Sequence, residues 1–288
     1  MNSTLATFDG LALARRRWPP TLDNGAAARG SVVLVHGLGE HIGRYAHVAA
    51  KLAAAGWAVS GCDLRGHGHS PGRRGDAPDG EALLRDIAAS LDAARAEAPA
   101  GTPLVLLGHS LGGMLSARFV AAALESPAPA WSRAVDALLL SSPALDPGLR
   151  PHQKLMLAAA RRLAPHLQVG NGLDPAWICR DPQVVADYLA DPLVHDRVSA
   201  TVASLVVDGG AAVIAAAPRW VTPTLLQWAG ADRCVSPAGS AAFAAAAPRA
   251  ALEHECYPGW SHELFNEPER ERPIGRVVAW LEARFPPR

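Results

Sequence analysis

The sequence predicts an α/β fold in which helices flank a mostly parallel central sheet and a helical cap is inserted late in the chain. Three observations predict it: short apolar runs without polar alternation, helical stretches between these runs, and one proline-rich segment that interrupts the pattern. Unbroken apolar runs are typical of parallel strands that are covered on both faces. Their alternation with helices indicates a doubly wound sheet.

Each predicted strand is an apolar run that ends in glycine or in polar turn residues. The predicted strands are Ser31–Val35, Trp57–Cys62, Leu104–Leu107, Ala137–Leu140, Thr224–Trp228 and Leu252–Tyr257. Helices are predicted over Arg44–Ala55, Glu81–Glu97, Leu111–Leu124, Ser240–Ala247 and Glu269–Phe285. Before the sheet, Thr7–Phe8 and Leu11–Arg17 around Asp9-Gly10 predict a β-hairpin, because Asp-Gly is a preferred hairpin turn.

The predicted core comprises residues 1–145 and 224–288, and the predicted cap comprises residues 146–223. Seven prolines from Pro147 to Pro218 separate short helical pieces that show no clear strand pattern. One piece, His152–Leu167, carries an apolar stripe at four-residue spacing, formed by Leu155, Ala159, Leu163 and Leu167. Such a stripe usually packs into a core. The alternative is an apolar lid whose basic residues, Lys154, Arg161 and Arg162, contact an anionic lipid surface.

Composition and charge exclude several classes of protein. Lys+Arg and Asp+Glu both number 27 in the 288 residues, so the basic excess that binds nucleic acid is absent and nucleic acid is not an expected partner. The four cysteines form no CxxC pair, which argues against a zinc cluster and a disulfide scaffold. The N-terminus lacks a secretory pattern, and no apolar run approaches the ~18 residues of a membrane span. We therefore expect a soluble, cytoplasmic protein.

The strongest motif for chemistry is Gly108-His109-Ser110-Leu111-Gly112, which fits G-x-S-x-G. An apolar run precedes it and a helical stretch follows it, as in the sharp strand-to-helix turn that exposes a nucleophilic serine in α/β-hydrolases. The helix N-terminus would direct its free N–H groups to the same place. This context predicts Ser110 as the nucleophile.

A second segment, Gly68-His69-Ser70-Pro71-Gly72, also fits G-x-S-x-G. Pro71 removes a backbone N–H, and the following Arg73-Arg74-Gly75 begins no apolar helix. The sequence therefore predicts Ser70 as a residue of a structural turn.

A serine hydroxyl needs a base that accepts its proton, and a carboxylate that orients this base. In this fold the order along the chain is serine, acid, histidine, with the histidine after the final strand. His262 and Asp232 occupy these places, which predicts them as base and acid. Asp146, one strand earlier, is the alternative acid. His254 and His195 are predicted to be structural, because they lie in a strand and in the cap.

The tetrahedral intermediate of acyl transfer needs two N–H donors, the oxyanion hole. Leu111 follows the nucleophile and is predicted to supply one, and Leu38, in the loop after the first long strand, the other. Gly37 is the adjacent alternative.

His67 and His69 lack a third metal ligand at suitable spacing, and P-loop and Rossmann patterns are absent. No metal or organic cofactor is expected.

Four blocks of the sequence resemble the monoacylglycerol lipase and lysophospholipase group of serine α/β-hydrolases, within the serine aminopeptidase S33-type hydrolase family. The blocks are HGLGEHIGRY (36–45), DLRGHGHSPGRRG (63–75), GHSLGG (108–113), and GADRCVSPAGS (230–240) with YPGWSHELFNEPER (257–270). FDGLALARRRW (8–18) and DPLVHDRVSA (191–200) extend the resemblance over nearly the whole chain.

The resemblance implies an α/β-hydrolase fold with a cap, and an acyl-glycerol or other lipid monoester as the small-molecule substrate. It assigns the nucleophile to Ser110, the acid to Asp232, the base to His262, and the oxyanion N–H groups to Leu38 and Leu111. Relatives often have alanine where Leu38 stands and methionine where Leu111 stands. Since the backbone N–H acts in each case, these differences bear on the shape of the pocket.

Other functions are compatible with the same motifs. The triad also suits a carboxylesterase, thioesterase or lysophospholipase acting on other acyl chains, and a peptidase is compatible if a cap carboxylate, from Asp174, Asp181 or Asp187, holds an ammonium group. A catalytically silent ligand-binding protein is the alternative outside enzymes. Dehalogenases and epoxide hydrolases carry an aspartate at the strand-to-helix turn where this sequence has Ser110, which disfavours those classes. Cys234 near Asp232 suggests sensitivity to thiol reagents, and the sequence leaves the acyl-chain length and the oligomeric state open.

Overall fold

The computed structural model describes residues 2–22 and 28–286. Its strands are β1 (Asn2–Ala6), β2 (Ala12–Trp18), β3 (Gly30–Val35), β4 (Trp57–Cys62), β5 (Leu104–His109), β6 (Ala137–Ser141), β7 (Gln168–Gly170), β8 (Arg197–Ser199), β9 (Thr224–Ala229) and β10 (Leu252–Tyr257). Its α-helices are α1 (Ala46–Ala54), α2 (Ala82–Glu97), α3 (Ser110–Ala122), α4 (Pro151–Leu163), α5 (Pro182–Ala190), α6 (Ala200–Ala216), α7 (Pro237–Ala246) and α8 (Glu271–Arg284).

The central sheet has the strand order β1-β2-β4-β3-β5-β6-β9-β10. From β4 to β10 each neighbouring pair is parallel, and β2 joins β1 and β4 in antiparallel pairs. This mostly parallel sheet, flanked by helices, confirms the predicted fold class.

The apolar runs form strands because both faces of the sheet are covered. In β3, Val32 and Leu34 pack toward the side of α1 and α8, whereas Val33 and Val35 pack toward α2 and α3. Successive side chains of a strand point to opposite faces, so two apolar faces require an unbroken apolar run. The parallel strands end at one edge, and the loops that follow β3, β5, β9 and β10 carry the predicted site residues.

The N-terminal hairpin is present, but its first strand differs from the prediction. The strand runs over Asn2–Ala6, and Thr7–Phe8 belong to the turn. The N–H of Thr7 donates to the Leu11 carbonyl at 2.9 Å, and Gly10 has a φ of +80°. The turn therefore begins two residues earlier than the Asp-Gly pair suggested.

The segment between β6 and β9 contains α4, β7, α5, β8 and α6. The prediction of no strand there is wrong, since β7 and β8 pair antiparallel, with Gln168 opposite Ser199. The prediction of only short helical pieces is also wrong, because α6 has 17 residues. The division of the chain into two domains at 146 and 223 stays a prediction.

The apolar stripe on α4 does not pack into the core. Leu155 is 73% exposed and Leu163 is 85% exposed, and α4 has no buried residue. Leu157 and Ala160 are half-buried and form the inner side of the helix. The interpretation of the stripe as core packing is therefore wrong, and its apolar side chains face outward.

One helix, Ala200–Arg219, is long and apolar enough by length and composition to cross a membrane. This corrects the expectation that no apolar run approaches that length. This helix contains α6, and 44% of its most apolar 18-residue stretch is buried. A Cβ at Gly209 would lie 2.5 Å from Met114 Sδ of α3. The apolar composition therefore serves close packing of α6 against α3.

Candidate active site

The turn between β5 and α3 holds Ser110 in an unusual backbone conformation. Ser110 has a φ of +54°, in the left-handed region that favours glycine. A Cβ at Gly112 would lie 2.2 Å from the Val35 carbonyl oxygen, and a Cβ at Gly108 would lie 2.3 Å from that of Gly112. The two glycines of the motif thus allow α3 to begin directly against β3, and the turn places Ser110 at the strand ends.

The loop after β3 lies against the serine. A Cβ at Gly37 would lie 3.1 Å from Ser110 Cβ. The Gly37 N–H donates to Glu40 Oε1 at 2.6 Å, which argues against Gly37 as an oxyanion donor. Across residues 2–22 and 28–286, no hydrogen bond is made by the Leu38 N–H, and Leu111 lies in the first turn of α3, where N–H groups lack helical partners. The assignment of Leu38 and Leu111 as oxyanion donors stays a prediction.

His262 and Asp232 meet although 30 residues separate them. Nδ1 of His262 lies 2.6 Å from Oδ2 of Asp232, and both side chains are buried. The other oxygen of Asp232 accepts the N–H groups of Cys234 at 2.9 Å and Val235 at 3.1 Å. These bonds hold the carboxylate facing the ring, as the predicted acid–base pair requires.

The pair shifts the pKa of each member. Burial lowers the pKa of His262, but the charge and hydrogen bond of Asp232 outweigh it, and the net pKa lies above the ordinary 6.5. Burial raises the pKa of Asp232, but the charge and hydrogen bond of His262 outweigh it, and the net pKa is lowered. Asp232 is therefore ionised at neutral pH. Asp146, the alternative acid, instead accepts the Gly148 N–H at 2.9 Å.

Ser110 and His262 line one cavity of about 320 Å³, together with Leu38. Within the described part of the chain no hydrogen bond joins Ser110 Oγ to His262, so this hydrogen bond stays a prediction. Catalytic hydrogen bonds are often long in a ligand-free enzyme and tighten on substrate binding. The structure thus brings all five predicted site residues to one place.

A buried charge network beside the site has no counterpart among the predicted residues. Arg44 donates to Glu40 Oε2 at 2.7 Å and to Glu263 Oε1 at 2.5 Å, and Tyr45 donates to Glu40 Oε1 at 2.6 Å. Burial raises the pKa of Glu40, but the charge of Arg44, the nearby rings of His109 and His36 and the Tyr45 hydrogen bond together outweigh it and hold the pKa at about 2. The four-residue spacing of Glu40 and Arg44 is a signal from which sequence inspection could have predicted their ion pair. No sequence signal predicts the contact between Arg44 and Glu263.

Comparison with known proteins agrees with this geometry. The family model "Serine aminopeptidase, S33" matches residues 26–269. This chain belongs to that family. The hydrolase is 33% identical over 281 residues to the monoacylglycerol lipase of Mycolicibacterium smegmatis, which covers 96% of this chain and 95% of that protein. It is 29% identical to the monoglyceride lipase of Rattus norvegicus, covering 98% of this chain and 90% of that protein.

Solved structures extend the comparison. The hydrolase superposes on the Paleococcus ferrophilus monoacylglycerol lipase with a TM-score of 0.82 at 32% identity, covering 94% of this chain and 99% of that one. A soluble variant of the Saccharomyces cerevisiae monoglyceride lipase shares the fold, with a TM-score of 0.84 at 22% identity and coverage of 100% and 96%. The predicted family resemblance and α/β-hydrolase fold are thus confirmed, and the protein is a carboxylic ester hydrolase.

The segment between β6 and β9 completes the cavity of the hydrolase. Its lining residues from this segment are Asn171, Leu173, Asp174, Pro175, Ile178, Tyr188, Leu189, Asp191, Val194, His195 and Asp196. Two backbone hydrogen bonds join it to the site loops: the Glu263 N–H donates to the Ile178 carbonyl at 2.8 Å, and the His195 N–H donates to the Gly39 carbonyl at 2.9 Å. The loops beside Ser110 and His262 are therefore held partly by this segment.

His109 lies beside the predicted base, a contact that sequence inspection missed. Its ring centroid lies 4.7 Å from that of His262, and its Nδ1 lies 3.1 Å from Ser141 Oγ. Burial, followed by the proximity of His262, lowers the pKa of His109 to about 4. A neutral His109 can lie beside a protonated His262 without charge repulsion. The sequence signal for His109 was its place as the first variable residue of G-x-S-x-G, directly before Ser110.

Cys234 also lines the cavity of the hydrolase. Its ligand atom and those of Asp232 and His262 all lie within 4.8 Å of one another, the spacing of a small metal site. A metal there would displace the Asp232–His262 hydrogen bond, so the donor set suits proton transfer better. Burial, and then Asp232, raise the pKa of the Cys234 thiol, which argues against the suggested sensitivity to thiol reagents.

Proposed function

We propose that this hydrolase cleaves monoacylglycerols to a free fatty acid and glycerol through an acyl-enzyme on Ser110. The observation that carries the proposal is the 2.6 Å hydrogen bond from His262 Nδ1 to Asp232, at the cavity that Ser110 lines. The monoacylglycerol lipases named above supply the substrate class, since they match nearly the whole chain.

The first step forms the acyl-enzyme. Ser110 Oγ attacks the ester carbonyl carbon while Nε2 of His262 takes the hydroxyl proton. The carbonyl π electrons move to oxygen, and the N–H groups of Leu38 and Leu111 stabilise the resulting oxyanion. Collapse of this intermediate breaks the ester C–O bond, and His262 returns its proton to the departing glycerol oxygen. Asp232 stabilises the imidazolium throughout.

The second step releases the acid. A water molecule loses its proton to His262 and attacks the acyl carbon, and the same N–H groups bind the second oxyanion. The C–O bond to Ser110 then breaks, and His262 protonates the serine oxygen. The products are the fatty acid and the free enzyme, and neither step requires a metal or organic cofactor.

The charge of the cavity favours a neutral substrate. Five carboxylates line it and, over residues 2–22 and 28–286, no Lys or Arg does: Glu40, Asp174, Asp191, Asp196 and Glu263. Arg44 pairs with Glu40 and Glu263, and Arg197 pairs with Asp196 at 3.1 Å, so these two cations neutralise only part of this charge. Phosphate groups of acyl-CoA or of lysophospholipids would be repelled here. The uncharged glycerol of a monoacylglycerol avoids this repulsion, and Leu173, Leu189 and Val194 offer apolar surface to an acyl chain.

Hydrolysis of three esters tests the proposal. Wild type and Ser110→Ala are compared on 1-monooleoylglycerol, oleoyl-CoA and p-nitrophenyl butyrate, with release of acid, thiol or phenol followed. We expect rapid Ser110-dependent release of oleate from monooleoylglycerol and slow turnover of oleoyl-CoA. Turnover of p-nitrophenyl butyrate alone would retain the triad and reject the lipase. Failure of a fluorophosphonate probe to label Ser110 would indicate a silent binding protein.

An aminopeptidase is the second candidate, because Asp174 lines the cavity and could bind an ammonium group. Asp181 and Asp187 do not line it; Asp181 accepts the Gln183 N–H and Asp187 the Gln183 side-chain amide. One Asp174 oxygen accepts the Ala176 N–H at 3.0 Å, which leaves the other available. Cleavage of alanyl-p-nitroanilide, but not of its N-acetylated form, would favour this function.

We further propose that the outward face of α4 makes transient contact with an anionic membrane surface. Leu155, Met156 and Leu163 are exposed there, and Lys154, Arg161 and Arg162 are also exposed on this helix. An amphipathic helix with these features lies in a lipid interface. Such contact would bring the cavity to monoacylglycerols dissolved in the bilayer.

Vesicle sedimentation tests the membrane contact. The double variant Leu155→Ser/Leu163→Ser should bind phosphatidylglycerol-containing vesicles several-fold more weakly than wild type. Val221→Ser is the matched control, because Val221 is 70% exposed but lies outside α4. Equal binding by all three proteins would reject the contact.

We also propose a cytoplasmic location, which the four free cysteines support and cell fractionation would test.

A further inference from the structure

His36 follows β3 directly and its ring is fully buried. The Leu64 N–H donates to Nε2 of His36 at 2.8 Å, so this nitrogen carries no proton. The proton of the neutral ring is then on Nδ1, which lies 2.8 Å from the Gly37 carbonyl oxygen and donates to it. Burial lowers the pKa of His36, which keeps the ring neutral and this tautomer in place at neutral pH.

The Gly37 carbonyl and the Leu38 N–H belong to the same peptide group. A trans peptide is planar, and its C=O and N–H point in opposite directions. The hydrogen bond from His36 therefore holds the carbonyl toward the His36 ring, which does not line the cavity, and leaves the Leu38 N–H on the opposite side of the peptide. The preceding peptide is held as well, because Glu40 accepts the Gly37 N–H at 2.6 Å.

The peptide needs such a restraint because Gly37 gives it freedom to rotate. Glycine adopts a wide range of backbone angles, so the ψ angle of Gly37 resists rotation of the Gly37–Leu38 peptide less than that of a residue with a Cβ would. A flipped peptide would direct the carbonyl oxygen at the position where the oxyanion develops. The result would be a repulsion in place of a hydrogen bond, in a site where such donors are worth about 10²–10³ in rate.

We propose that His36 is a positioning residue, which orients the Gly37–Leu38 peptide so that the Leu38 N–H is preformed as an oxyanion donor. The inference rests on the proposed function, because it assigns a role to Leu38 in acyl transfer. His36 contacts neither substrate nor reacting atoms, and its effect passes through the backbone.

Two substitutions separate the two hydrogen bonds of His36. The amide N–H of Asn reaches the place of Nδ1, so His36→Asn keeps the donor to Gly37 and loses the acceptor for Leu64. The carbonyl oxygen of Gln reaches the place of Nε2, so His36→Gln keeps the acceptor and loses the donor. Both variants remove the ring, and each therefore serves as the packing control for the other.

The measurements are kcat and KM on p-nitrophenyl butyrate and the inhibition constant of an alkyl trifluoromethyl ketone. Ser110 Oγ adds to the ketone carbon, its proton passes to His262, and the carbonyl electron pair becomes an oxyanion in the hole. For His36→Gln we expect kcat to fall about 10²–10³-fold, with KM within about threefold and inhibitor affinity weakened in parallel. For His36→Asn we expect kcat within about tenfold of wild type.

Three results would overturn the proposal: equal losses in both folded variants, near wild-type kcat in His36→Gln, or a loss of kcat without weaker binding of the ketone. The thermal midpoint of each variant shows whether it folds. If only His36→Asn folds, a kcat more than 100-fold below wild type overturns the proposal. Fluorophosphonate labelling of wild-type Ser110 is run beside these assays, since its absence would reject the proposed function itself and not only the role of His36.

Discussion

The chain contains the pattern G-x-S-x-G twice, at 68–72 and at 108–112, and the structure uses the two copies in different ways. Ser70 lies buried in a loop, where its hydroxyl donates to the Asp63 carbonyl at 2.5 Å and accepts the Ala14 N–H at 2.9 Å. Ser110 lies at a strand-to-helix junction with a φ of +54° and lines the cavity. The hydroxyl of Ser70 is thus used in structural hydrogen bonds, whereas Ser110 lies at the wall of the cavity.

The comparison teaches that the elements on either side give the motif its chemistry. After Ser70, Pro71 and the turn that follows leave no helix whose N-terminus could face the hydroxyl. Asp63, the carboxylate beside Ser70, accepts the N–H groups of Ile42 and His69 and so stabilises loops. Asp232, the carboxylate of the other site, is bonded to a histidine. The same residue types therefore form a structural turn in one place and the predicted nucleophile site in the other.

The largest expected effect separates the two serines directly. Ser110→Ala should lower kcat on 1-monooleoylglycerol by about 10⁴–10⁶, because the attacking oxygen is removed. Ser70→Ala should leave kcat within about threefold of wild type. Initial-rate measurements on both purified proteins check this, and the comparison breaks if Ser70→Ala is the more damaging to kcat.

Asp232 and Asp63 should differ in their effect on the pH profile of kcat/KM. Because His262 must be neutral to accept a proton and its pKa is raised above 6.5, kcat/KM should rise with pH through a value above 6.5. Asp232→Asn removes the group that raises this pKa and leaves the burial that lowers it. We expect kcat to fall about 10⁴-fold and the acid limb of the profile to move to lower pH.

Asp63→Asn is the control for the pH profile. It should reduce thermal stability, since Asp63 accepts two backbone N–H groups, but leave the acid limb in place. Rate profiles between about pH 5 and 9 distinguish the two variants. An unchanged acid limb in Asp232→Asn would contradict the pairing of Asp232 with His262.

The glycines of the motif at 108–112 should be needed for folding rather than for chemistry. A Cβ at Gly112 would lie 2.2 Å from the Val35 carbonyl oxygen, so Gly112→Ala should lower the free energy of unfolding by about 1–3 kcal/mol. At Gly275, on α8, a Cβ would meet no atom within 4 Å. Gly275→Ala should therefore stabilise by about 0.5–1 kcal/mol. Urea unfolding of both variants checks the sign, and equal effects would refute the close contact.

The last expected effect concerns the stability role of Ser70, compared with that of Ser110. Removal of its hydroxyl leaves the Ala14 N–H without this acceptor in a part-buried place, which should lower the free energy of unfolding by about 1–3 kcal/mol. Ser110→Ala should change it by about 0.5 kcal/mol or less, because Ser110 Oγ makes no hydrogen bond within the described residues. Thermal melts of the two variants should thus reverse the order seen in kcat.

The apolar strands, the Ser110 motif and the order of Asp232 and His262 were predictable because each depends on local pattern. Trp57–Cys62 and Leu252–Tyr257 form strands with the predicted bounds, and β3, β5, β6 and β9 differ by one or two residues at an end. The stripe on α4 was misjudged, since periodicity shows that a helix has an apolar face but does not show whether another element covers it.

The amino-acid sequence by itself determined the layered α/β architecture and which serine stands at a strand-to-helix turn, because these follow from hydrophobic period and chain order. The family resemblance was carried by the motif blocks, such as GHSLGG (108–113). Only the tertiary structure decided that Glu263 joins Arg44 across 219 residues and that His36 holds the peptide before Leu38. It also decided that the cavity wall is acidic. The physical reason is that hydrogen bonds and ion pairs depend on distances of about 3 Å between atoms, and chain folding alone sets those distances for residues far apart in sequence.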